Sequence, residues 1–297
     1  MDDLQLEKWK KAGRLAAECL EYGRGLVKEG ASLIEVSDKV EQKIFELGGK
    51  PAFPVQISFN ETAAHNCASP DDKREFKQGD LIKLDVGVHI DGCIGDNAVT
   101  INLGDYNELV KASVEARDSA IRIIRPGITL AEIGAEIERT IKSYGFNPVK
   151  NLSGHGLDAY GVHTHPTIPN FDNKDKFQLK QGQVVAIEPF ATTGEGFIYE
   201  ISEAEVFQLI VRRPVRTGFV RDILRDVEAF EGLPFAVRWL AKKHSANKVN
   251  YAMKELTKQG IIRAYPPLVE RTKGYVSQSE HSVYVDEKAV VLTKVLD

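Results

Sequence analysis

One stretch of this 297-residue sequence occurs twice, and that repeat limits the folds open to the chain. Ten positions within 30–51 match ten positions within 127–148, at an offset of 97 residues. A second match, at an offset of 103 residues, relates 77–85 to 180–188. Because both matches occur in the same order and at nearly the same offset, we predict two related half-domains that face each other.

Each copy of the repeat begins with the same helix signal and ends with the same strand signal. Ser32 stands three positions before Glu35, and Thr129 three positions before Glu132, which predicts a capping box at each helix start. A helix over 4–28 precedes the first copy. Later in each copy a polar turn leads into an apolar strand that ends in a carboxylate. The repeat therefore predicts one helix–loop–strand unit present twice.

The composition is that of a folded protein rather than a disordered or membrane-embedded one. The residues are 42% hydrophobic and 28% charged, and no segment approaches the ~20 consecutive apolar residues that a membrane span needs. Residues 1–3 are followed by no apolar stretch, which predicts that there is no secretory leader. Cys19, Cys67 and Cys93 are odd in number and lack the C-x-x-C spacing, so we expect reduced thiols in a cytoplasmic protein.

A basic segment interrupts the second copy. Residues 211–265 hold 12 lysines and arginines against 5 aspartates and glutamates, whereas the rest of the chain has a balance of −11. The pattern predicts helices and then short strands, at 222–230, 234–243 and 246–259 and at 261–263 and 274–276. Three helices followed by a strand pair resemble a winged helix. We therefore predict a separate module inserted into the second half-domain.

Asp85 and Asp96 form the sharpest local signal for chemistry. Residues 81–88 place apolar side chains on one strand face and Asp85 on the other, and a turn follows at 91–92. With the hairpin centred near 90.5, the two aspartates are direct cross-strand neighbours, with their side chains roughly 5 Å apart. Two carboxylates this close in the interior of a sheet are unfavourable unless a proton or a cation lies between them.

The repeat supplies a third carboxylate, because Glu188 holds in the second copy the position that Asp85 holds in the first. By the same logic, the hairpin partner of Glu188 should carry a fourth. Spacing favours Glu200, whereas the tract that ends at Glu280 favours that residue. The residues alone leave four candidates open, which are Glu200, Glu203, Glu205 and Glu280.

Histidine is the remaining residue type that could bind a metal beside these acids. His155 lies between two glycines, in a loop that allows close approach to a site, and His65 and His163 occupy roughly corresponding loops of the two copies. We interpret the other histidines as hydrogen-bonded structural residues; they are His89, His165, His244 and His281. Four carboxylates and an imidazole carry a formal charge of −4. Since two divalent cations neutralise that charge, the set predicts a two-metal hydrolase.

In their order along the chain, the candidate ligands resemble the metal site of the pita-bread metallopeptidases. That set is Asp85, Asp96, His155, Glu188 and Glu280. The insertion between the last two glutamates resembles that of type 2 methionine aminopeptidases, whose archaeal members are similar in length to this chain. The resemblance covers essentially all of the sequence and favours Glu280 as the fourth carboxylate.

The resemblance implies an α+β pita-bread fold of two pseudo-twofold-related halves, with an inserted helical, winged-helix-like subdomain. The implied boundaries are about 1–104 for one half, about 105–205 plus 266–297 for the other, and 206–265 for the insertion. The implied activity is that of an aminopeptidase, a hydrolase that removes the N-terminal methionine from nascent proteins and peptides. The family's habit implies a monomer.

The resemblance also implies how two divalent ions are held. One ion would be bound by Asp85, Asp96 and Glu280, and the other by Asp96, His155, Glu188 and Glu280. Asp96 and Glu280 would therefore bridge the pair, and Glu188 would in addition move protons. Cobalt, manganese, iron and zinc all suit this mixture of ligands.

The implied substrate contacts come from histidines and apolar residues. His163 would contact the scissile amide and support the tetrahedral intermediate, and His65 would line the pocket of the first residue near the ions. The methionine side chain would lie in an apolar pocket, made by Phe53, Val162, Phe190 and Tyr265. Val206 departs from the pattern, because some family members place a histidine there.

Two other interpretations fit part of the sequence. X-Pro-cleaving relatives such as prolidase share the five ligands, but they usually carry a domain before the catalytic one, and Asp85 occurs too early for it. Pita-bread homologues that bind nucleic acid or protein have lost ligands, whereas all five positions are filled here. The basic 211–265 segment leaves a second role open, either contact with ribosomal RNA or no more than a solvated helical face.

Overall fold

A computed structural model describes residues 2–201 and 203–294 of the chain. Its helices are α1 (Asp3–Leu26), α2 (Leu33–Glu46), α3 (Asn107–Ile123), α4 (Leu130–Ser143), α5 (Gly218–Glu228), α6 (Val237–Ala241) and α7 (Ala246–Lys258). The predicted helix over 4–28 is confirmed as α1. None of the described helices is both long and apolar enough to cross a membrane.

The strands occur in groups between pairs of helices and pair in an antiparallel manner, which confirms the α+β class. The first nine are β1 (Lys50–Pro51), β2 (Gln56–Phe59), β3 (Thr62–Ala64), β4 (Leu81–Ile90), β5 (Cys93–Asn102), β6 (Asn147–Pro148), β7 (Ser153–Asp158), β8 (Gly161–Pro169) and β9 (Val184–Ile187). The others are β10 (Phe190–Thr192), β11 (Ile198–Glu200), β12 (Val206–Leu209), β13 (Phe235–Ala236), β14 (Ile262–Tyr265), β15 (Leu268–Glu270), β16 (Val276–Gln278), β17 (Glu280–Val285) and β18 (Ala289–Val291).

One large sheet carries the repeat. Its strand order is β1-β4-β5-β17-β9-β7-β8, with β2 on β4 and β18 on β17. The order is symmetric about the boundary between β5 and β17, because β4 and β9 lie at equal distances from it and β2 and β7 pair with them. The predicted pairing of two related halves is therefore visible in the sheet itself.

Each half covers its part of the sheet with two helices and its own apolar core. In the first half, Ala16 on α1 and Val40 on α2 pack with Leu84 of β4. In the second half, Ala116 and Ile137, on α3 and α4, lie in one cluster with strands β9 and β17. Because strand side chains alternate between faces, Asp85 projects from the face opposite to Leu84. The acidic residues thus lie on the face that the helices leave open.

The register of the β4–β5 hairpin differs from the predicted one. The observed pairs include Asp85 with Ala98 and Gly87 with Asp96, so the hairpin is centred one residue later than expected. Asp91 and Gly92 both have positive φ, of 49° and 87°, and form the two-residue turn that closes such a hairpin. Moving the centre by one residue moves each partner by two. The predicted direct pairing of Asp85 and Asp96 is therefore wrong, but the two remain diagonal neighbours on one face.

The capping box predicted for both copies forms in only one of them. At α4, Thr129 accepts a hydrogen bond from the backbone N–H of Glu132, whose side chain accepts one from the backbone of Thr129. At α2, Ser32 is the N-cap residue, but its side chain makes no capping hydrogen bond. There the prediction was wrong; the bridge of Ser32 to Glu75 does not explain the difference, because Thr129 makes the matching bridge to Gln178 and still forms its capping box.

The inserted segment has a core of its own, in which Phe207, Ile223 and Leu256 are buried together. Strand β12 pairs with β13 and β14, and helices α5 to α7 pack against this small sheet. The predicted strand pair of a wing was wrong, because β16, at the predicted 274–276 position, pairs with β10 rather than with β14. The boundaries 206–265 for the insertion and those of the two halves stay predictions, and residues 295–297 of the second half lie outside the described residues.

The insertion is fixed to the first half by a buried ion pair. Arg238 of α6 is 2% exposed, and its guanidinium donates to both carboxylate oxygens of Glu41 on α2, at 2.7 Å for one of them. Trp239 also donates to Glu41, at 2.8 Å, and the backbone N–H of Val55 donates to it at 3.2 Å. Glu41 thereby joins the insertion to the segment that follows β1.

Candidate metal centre

Neighbouring strands of the large sheet hold the five predicted ligands. Asp85 lies on β4, Asp96 on β5, His155 on β7 and Glu280 on β17, while Glu188 directly follows β9. Ala98 of β5 is the register partner of both Asp85 and Glu280. The two carboxylates therefore flank one position of the central strand, and Asp96 lies two residues away on the same face.

The five side chains converge into two overlapping groups. Ligand atoms of Asp96, His155 and Glu280 lie within 4.8 Å of one another, and so do those of Asp85, Glu188 and Glu280. His155 Nε2 lies 3.8 Å from Asp96 Oδ2. Glu280 belongs to both groups and so occupies the position of a bridging ligand.

The carboxylates of this cluster are held in a protein environment that disfavours their charge. Asp96 and Glu280 are at most 2% exposed. Burial raises the pKa of Asp85 to about 7. The pKa values of Asp96, Glu188 and Glu280 lie well above the usual range, because of burial first and the neighbouring carboxylates second. Four acids in this state need protons or cations to be stable together.

Three carboxylate oxygens of the cluster have no hydrogen-bond partner in the described part of the chain. These buried atoms are Asp85 Oδ1, Asp96 Oδ1 and Glu280 Oε1. Buried polar atoms are otherwise nearly always hydrogen-bonded. Three unpartnered carboxylate oxygens within one cluster therefore indicate that the cluster binds a further atom or ion. Hard divalent cations prefer carboxylate oxygens, and imidazole suits the transition metals. The residues present therefore fit a pair of divalent metal ions.

The structure distinguishes between the four candidates for the last carboxylate. Glu280 lies in the cluster, whereas Glu200 and Glu203 are exposed. Glu205 lies in a separate depression with Asp72, and burial raises its pKa to about 7. Residue spacing could not make this choice, because β17, the strand that neighbours β9, follows only after the insertion; the family resemblance favoured the same residue.

The imidazoles of the site are kept neutral. Burial, and second the charge of His163, lowers the pKa of His155 to about 3. His163 is exposed to the cavity, and the loss of solvent within this depression, followed by the charge of Arg263, lowers its pKa to about 4. The pKa of His65 is also lowered to about 4, by burial and then by His163. Neutral imidazoles can bind a metal ion or accept a proton.

His65 and His163 lie on either side of Tyr265. The ring of His65 meets that of Tyr265 edge-on at 5.4 Å, and the ring of His163 lies 6.0 Å from it and 4.7 Å from His155. His65 has a positive φ of 62°, and its backbone N–H donates to Gln56 Oε1 at 2.8 Å. Such backbone strain is common at functional sites.

The histidines interpreted as structural lie outside the metal-site cavity. Hydrogen bonds engage the rings of three of them, which are His89, His244 and His281. His165 lies on β8 near the site but does not line its cavity.

The cluster opens into a cavity of about 260 Å³. All residues expected to contact the substrate line it; they are Phe53, His65, Val162, His163, Phe190 and Tyr265. Val206 lines the same wall as Tyr265. A Cβ on Gly87 would lie 2.2 Å from the ring of Phe53, so the glycine opposite Asp96 is what allows this ring to lie against the metal cluster.

Two polar residues of the site were missed from the sequence. Gln278 is buried and donates from Nε2 to Glu188 at 2.6 Å and to Asp85 at 3.5 Å, so it links acids of both halves. Arg263 lies at the cavity mouth. Gln278 could have been noticed as a polar residue two positions before Glu280. The sequence alone does not distinguish Arg263 from the other lysines and arginines of the insertion.

Comparisons with known proteins agree with this geometry. A methionine aminopeptidase of Archaeoglobus fulgidus is 45% identical, with 99% of each chain covered, and one of Thermococcus onnurineus is 43% identical, with 95% of this chain and 97% of the relative covered. The crystal structure of a methionine aminopeptidase from Thermotoga maritima matches with a TM-score of 0.71 at 25% identity, over 99% of this chain and 98% of that one. These matches confirm the pita-bread fold. The model of metallopeptidase family M24 matches residues 7–239, and the chain belongs to that family.

Proposed function

We propose that this protein removes the N-terminal methionine from peptides and nascent polypeptides by hydrolysis, using two divalent metal ions. The observation that carries the proposal is the buried cluster of four carboxylates and one imidazole, which has unpartnered oxygens and opens into a cavity with an apolar and aromatic wall. Relatives 45% and 43% identical that bear the name methionine aminopeptidase support this substrate over X-Pro peptides.

The chemistry divides between the bound ions and the residues around them. A pair of divalent cations supplies a nucleophilic water at neutral pH and polarises a carbonyl oxygen. Asp85, Asp96 and Glu280 would hold one ion, and Asp96, His155, Glu188 and Glu280 would hold the other, so that Asp96 and Glu280 would serve both. Glu188 takes the proton of the attacking water and returns it to the leaving amine. Gln278, which donates to Glu188, orients that carboxylate.

The cavity selects the first residue of the substrate. The methionine side chain lies between Phe53, Val162, Phe190 and Tyr265, which are apolar or aromatic and suit a polarisable thioether. The α-amine lies against the acidic cluster, so only a residue with a free amine is accepted. His163 contacts the scissile amide and stabilises the charge that develops on it, and His65 lines the pocket beside the ions.

The identity of the metal, the cellular compartment and the oligomeric state belong to the same proposal. The ligand mixture suits cobalt, manganese, iron or zinc. The thiols of Cys19, Cys67 and Cys93 are free and buried, which supports a reducing compartment such as the cytoplasm. The protein acts as a monomer.

Contact with the ribosome through the basic 211–265 segment is a further part of the proposal. Lys242 and Lys243 already form ion pairs, with Asp38 at 3.1 Å and Asp226 at 3.0 Å. Arg212 and Arg213 instead line a shallow outer depression. Charge reversal at both arginines should reduce co-sedimentation with ribosomes at low salt, and unchanged co-sedimentation would contradict the contact.

A direct assay tests the main proposal. Metal-reconstituted protein is offered Met-Ala-Ser and Ala-Pro peptides, and release of the first residue is measured. We expect release of methionine only. The variant Asp96→Asn should lose turnover and bound metal together, because a shared carboxylate serves both ions. Release of alanine from Ala-Pro, or full activity of the variant, would contradict the assignment.

A further inference from the structure

Arg263 lies on the same wall of the cavity as Tyr265, two residues away on the same strand and closer to solvent. Both are on β14, and their register partners on β12 are Gln208 for Arg263 and Val206 for Tyr265. Residues two apart on a strand point to the same face. Since Tyr265 and Val206 line the cavity, Arg263 and Gln208 form the next row toward solvent, and Arg263 borders the opening.

The charge of Arg263 is not neutralised by a neighbour. Its side chain is exposed, and no carboxylate in residues 2–201 or 203–294 lies within 4.0 Å of it. Cations of the insertion that face the first half are paired, as Arg238 and Lys242 are with Asp38. Tyr265, by contrast with Arg263, is tied to Gln208, to which its hydroxyl donates at 2.5 Å. The guanidinium at the opening is therefore available to a ligand.

The distance between Tyr265 and Arg263 along β14 determines which substrate residue lies beside the guanidinium. The two rows of β14 are separated by two residues, which is about 7 Å along an extended chain. A substrate whose methionine lies at the level of Tyr265 leaves the cavity along the same wall and advances by that distance in two residues. Its third residue then lies level with Arg263. A guanidinium there attracts a carboxylate and repels an ammonium group.

We propose that Arg263 is a specificity-determining residue that favours substrates with an acidic side chain at the third position and disfavours basic ones. The inference rests on the proposed removal of N-terminal methionine and adds a selection by charge outside the methionine pocket. Arg263 does not take part in bond cleavage. Its effect is on the capture of substrate and is therefore read in kcat/KM.

The test uses peptides Met-Ala-Xaa-Gly with a C-terminal amide, where Xaa is Glu, Gln or Lys. At low salt we expect kcat/KM for Glu to exceed that for Gln by about two- to fivefold, the range of an exposed charge pair. Arg263→Gln should bring this ratio to about one, and Arg263→Glu should make Lys the preferred residue. The native preference should weaken at high salt, because salt screens exposed charges.

The matched control is Arg221→Gln, which removes an exposed arginine of α5 that lines the outer depression. It should keep the native ratio. Because each ratio is taken within one preparation, any loss of folded protein cancels. Equal rates for Glu, Gln and Lys in the native enzyme, or a native ratio in Arg263→Gln, would overturn the inference. If no methionyl peptide is cleaved, the proposed function itself is wrong, which is a different outcome.

Discussion

The two halves of this protein have the same architecture but use matching positions differently. Strand β2 of the first half pairs with β4, as β7 of the second pairs with β9. The position of β2 that matches His155 holds Ser58, because Ser58 pairs with Lys83 of β4 as His155 pairs with Ala186 of β9. Ser58 is buried, whereas β7 offers the imidazole of His155 to the metal cluster. The duplication thus explains the fold and the convergence of acids, and the differences between the copies decide which position gains a nitrogen ligand.

The helices show the same divergence. Glu41 on α2 and Glu138 on α4 are matching positions of the repeat. Glu41 is buried and binds Arg238 of the insertion, whereas Glu138 is half-buried and accepts a hydrogen bond from the backbone of Asp172 at 3.2 Å. A repeated residue therefore keeps its place in the fold while its partners, and hence its energetic importance, change.

The sharpest test of the shared site is Glu280→Gln, because Glu280 is the ligand common to both groups. We expect loss of both metal ions and a fall in peptidase activity of roughly 10³-fold or more, since the attacking water is no longer activated. Bound metal is measured by elemental analysis, together with kcat. The control is Glu205→Gln, another acid with a raised pKa that lies outside the cluster; it should keep both ions. Retention of one full equivalent of metal by Glu280→Gln would show that the halves hold their ions separately.

The repulsion between acids of the two halves should appear in the stability of the metal-free protein. The pKa of Asp85 is about 7 in the folded state and about 4 when unfolded. The folded protein therefore binds more protons, and stability is lost as the pH rises through this range. We expect the Tm to fall by roughly 5–10 °C between pH 4 and pH 7. Divalent metal should restore it at pH 7.

Asp85→Asn removes one of the repelling groups, so the Tm of its metal-free form should fall less over the same pH range. Differential scanning calorimetry with and without chelator measures both proteins. A Tm of the metal-free native protein that does not fall with pH would contradict the crowding of charge at the boundary between the halves.

The divergence of the repeated glutamates predicts unequal costs of the same substitution. Glu41→Gln leaves Arg238 buried without its full counter-charge and should lower the free energy of unfolding by about 3 kcal/mol. Glu138→Gln should change it by less than about 0.5 kcal/mol, since a half-buried side chain that accepts one hydrogen bond is replaced by an isostere that can still accept it. Urea denaturation compares the two. Equal values would mean that Glu41 is no more important to the fold than its counterpart.

The smallest effect concerns the helix starts. Thr129→Ala removes the capping box of α4 and should cost about 1 kcal/mol. Ser32→Ala should cost clearly less, because Ser32 makes no capping hydrogen bond. Urea denaturation again provides the measurement. A larger loss at Ser32 than at Thr129 would reverse the comparison.

Much of the local structure could be predicted because its signals are local. Helical periodicity located α1, and the Asp91-Gly92 turn located the β4–β5 hairpin. The face of Asp85 and Asp96 was predicted although their register was wrong, because an error of one in the turn centre moves a partner by two and preserves the face. The capping box predicted at Ser32 was wrong although both N-cap residues make a matching bridge to a later segment, so the sequence signal and the backbone pairing together do not decide whether the box forms.

The amino-acid sequence by itself determined that two similar units exist and that Asp85, Asp96 and Glu188 end up among buried strands, since periodicity and repetition are properties of the chain. Only the tertiary structure decided that Glu280 completes the cluster and that Gln278 joins its two sides. The reason is physical. Which distant strands pair, and which acids become buried, depends on the segments that meet in space. Because the insertion lies between β9 and β17, the spacing along the chain does not show that these two strands are neighbours.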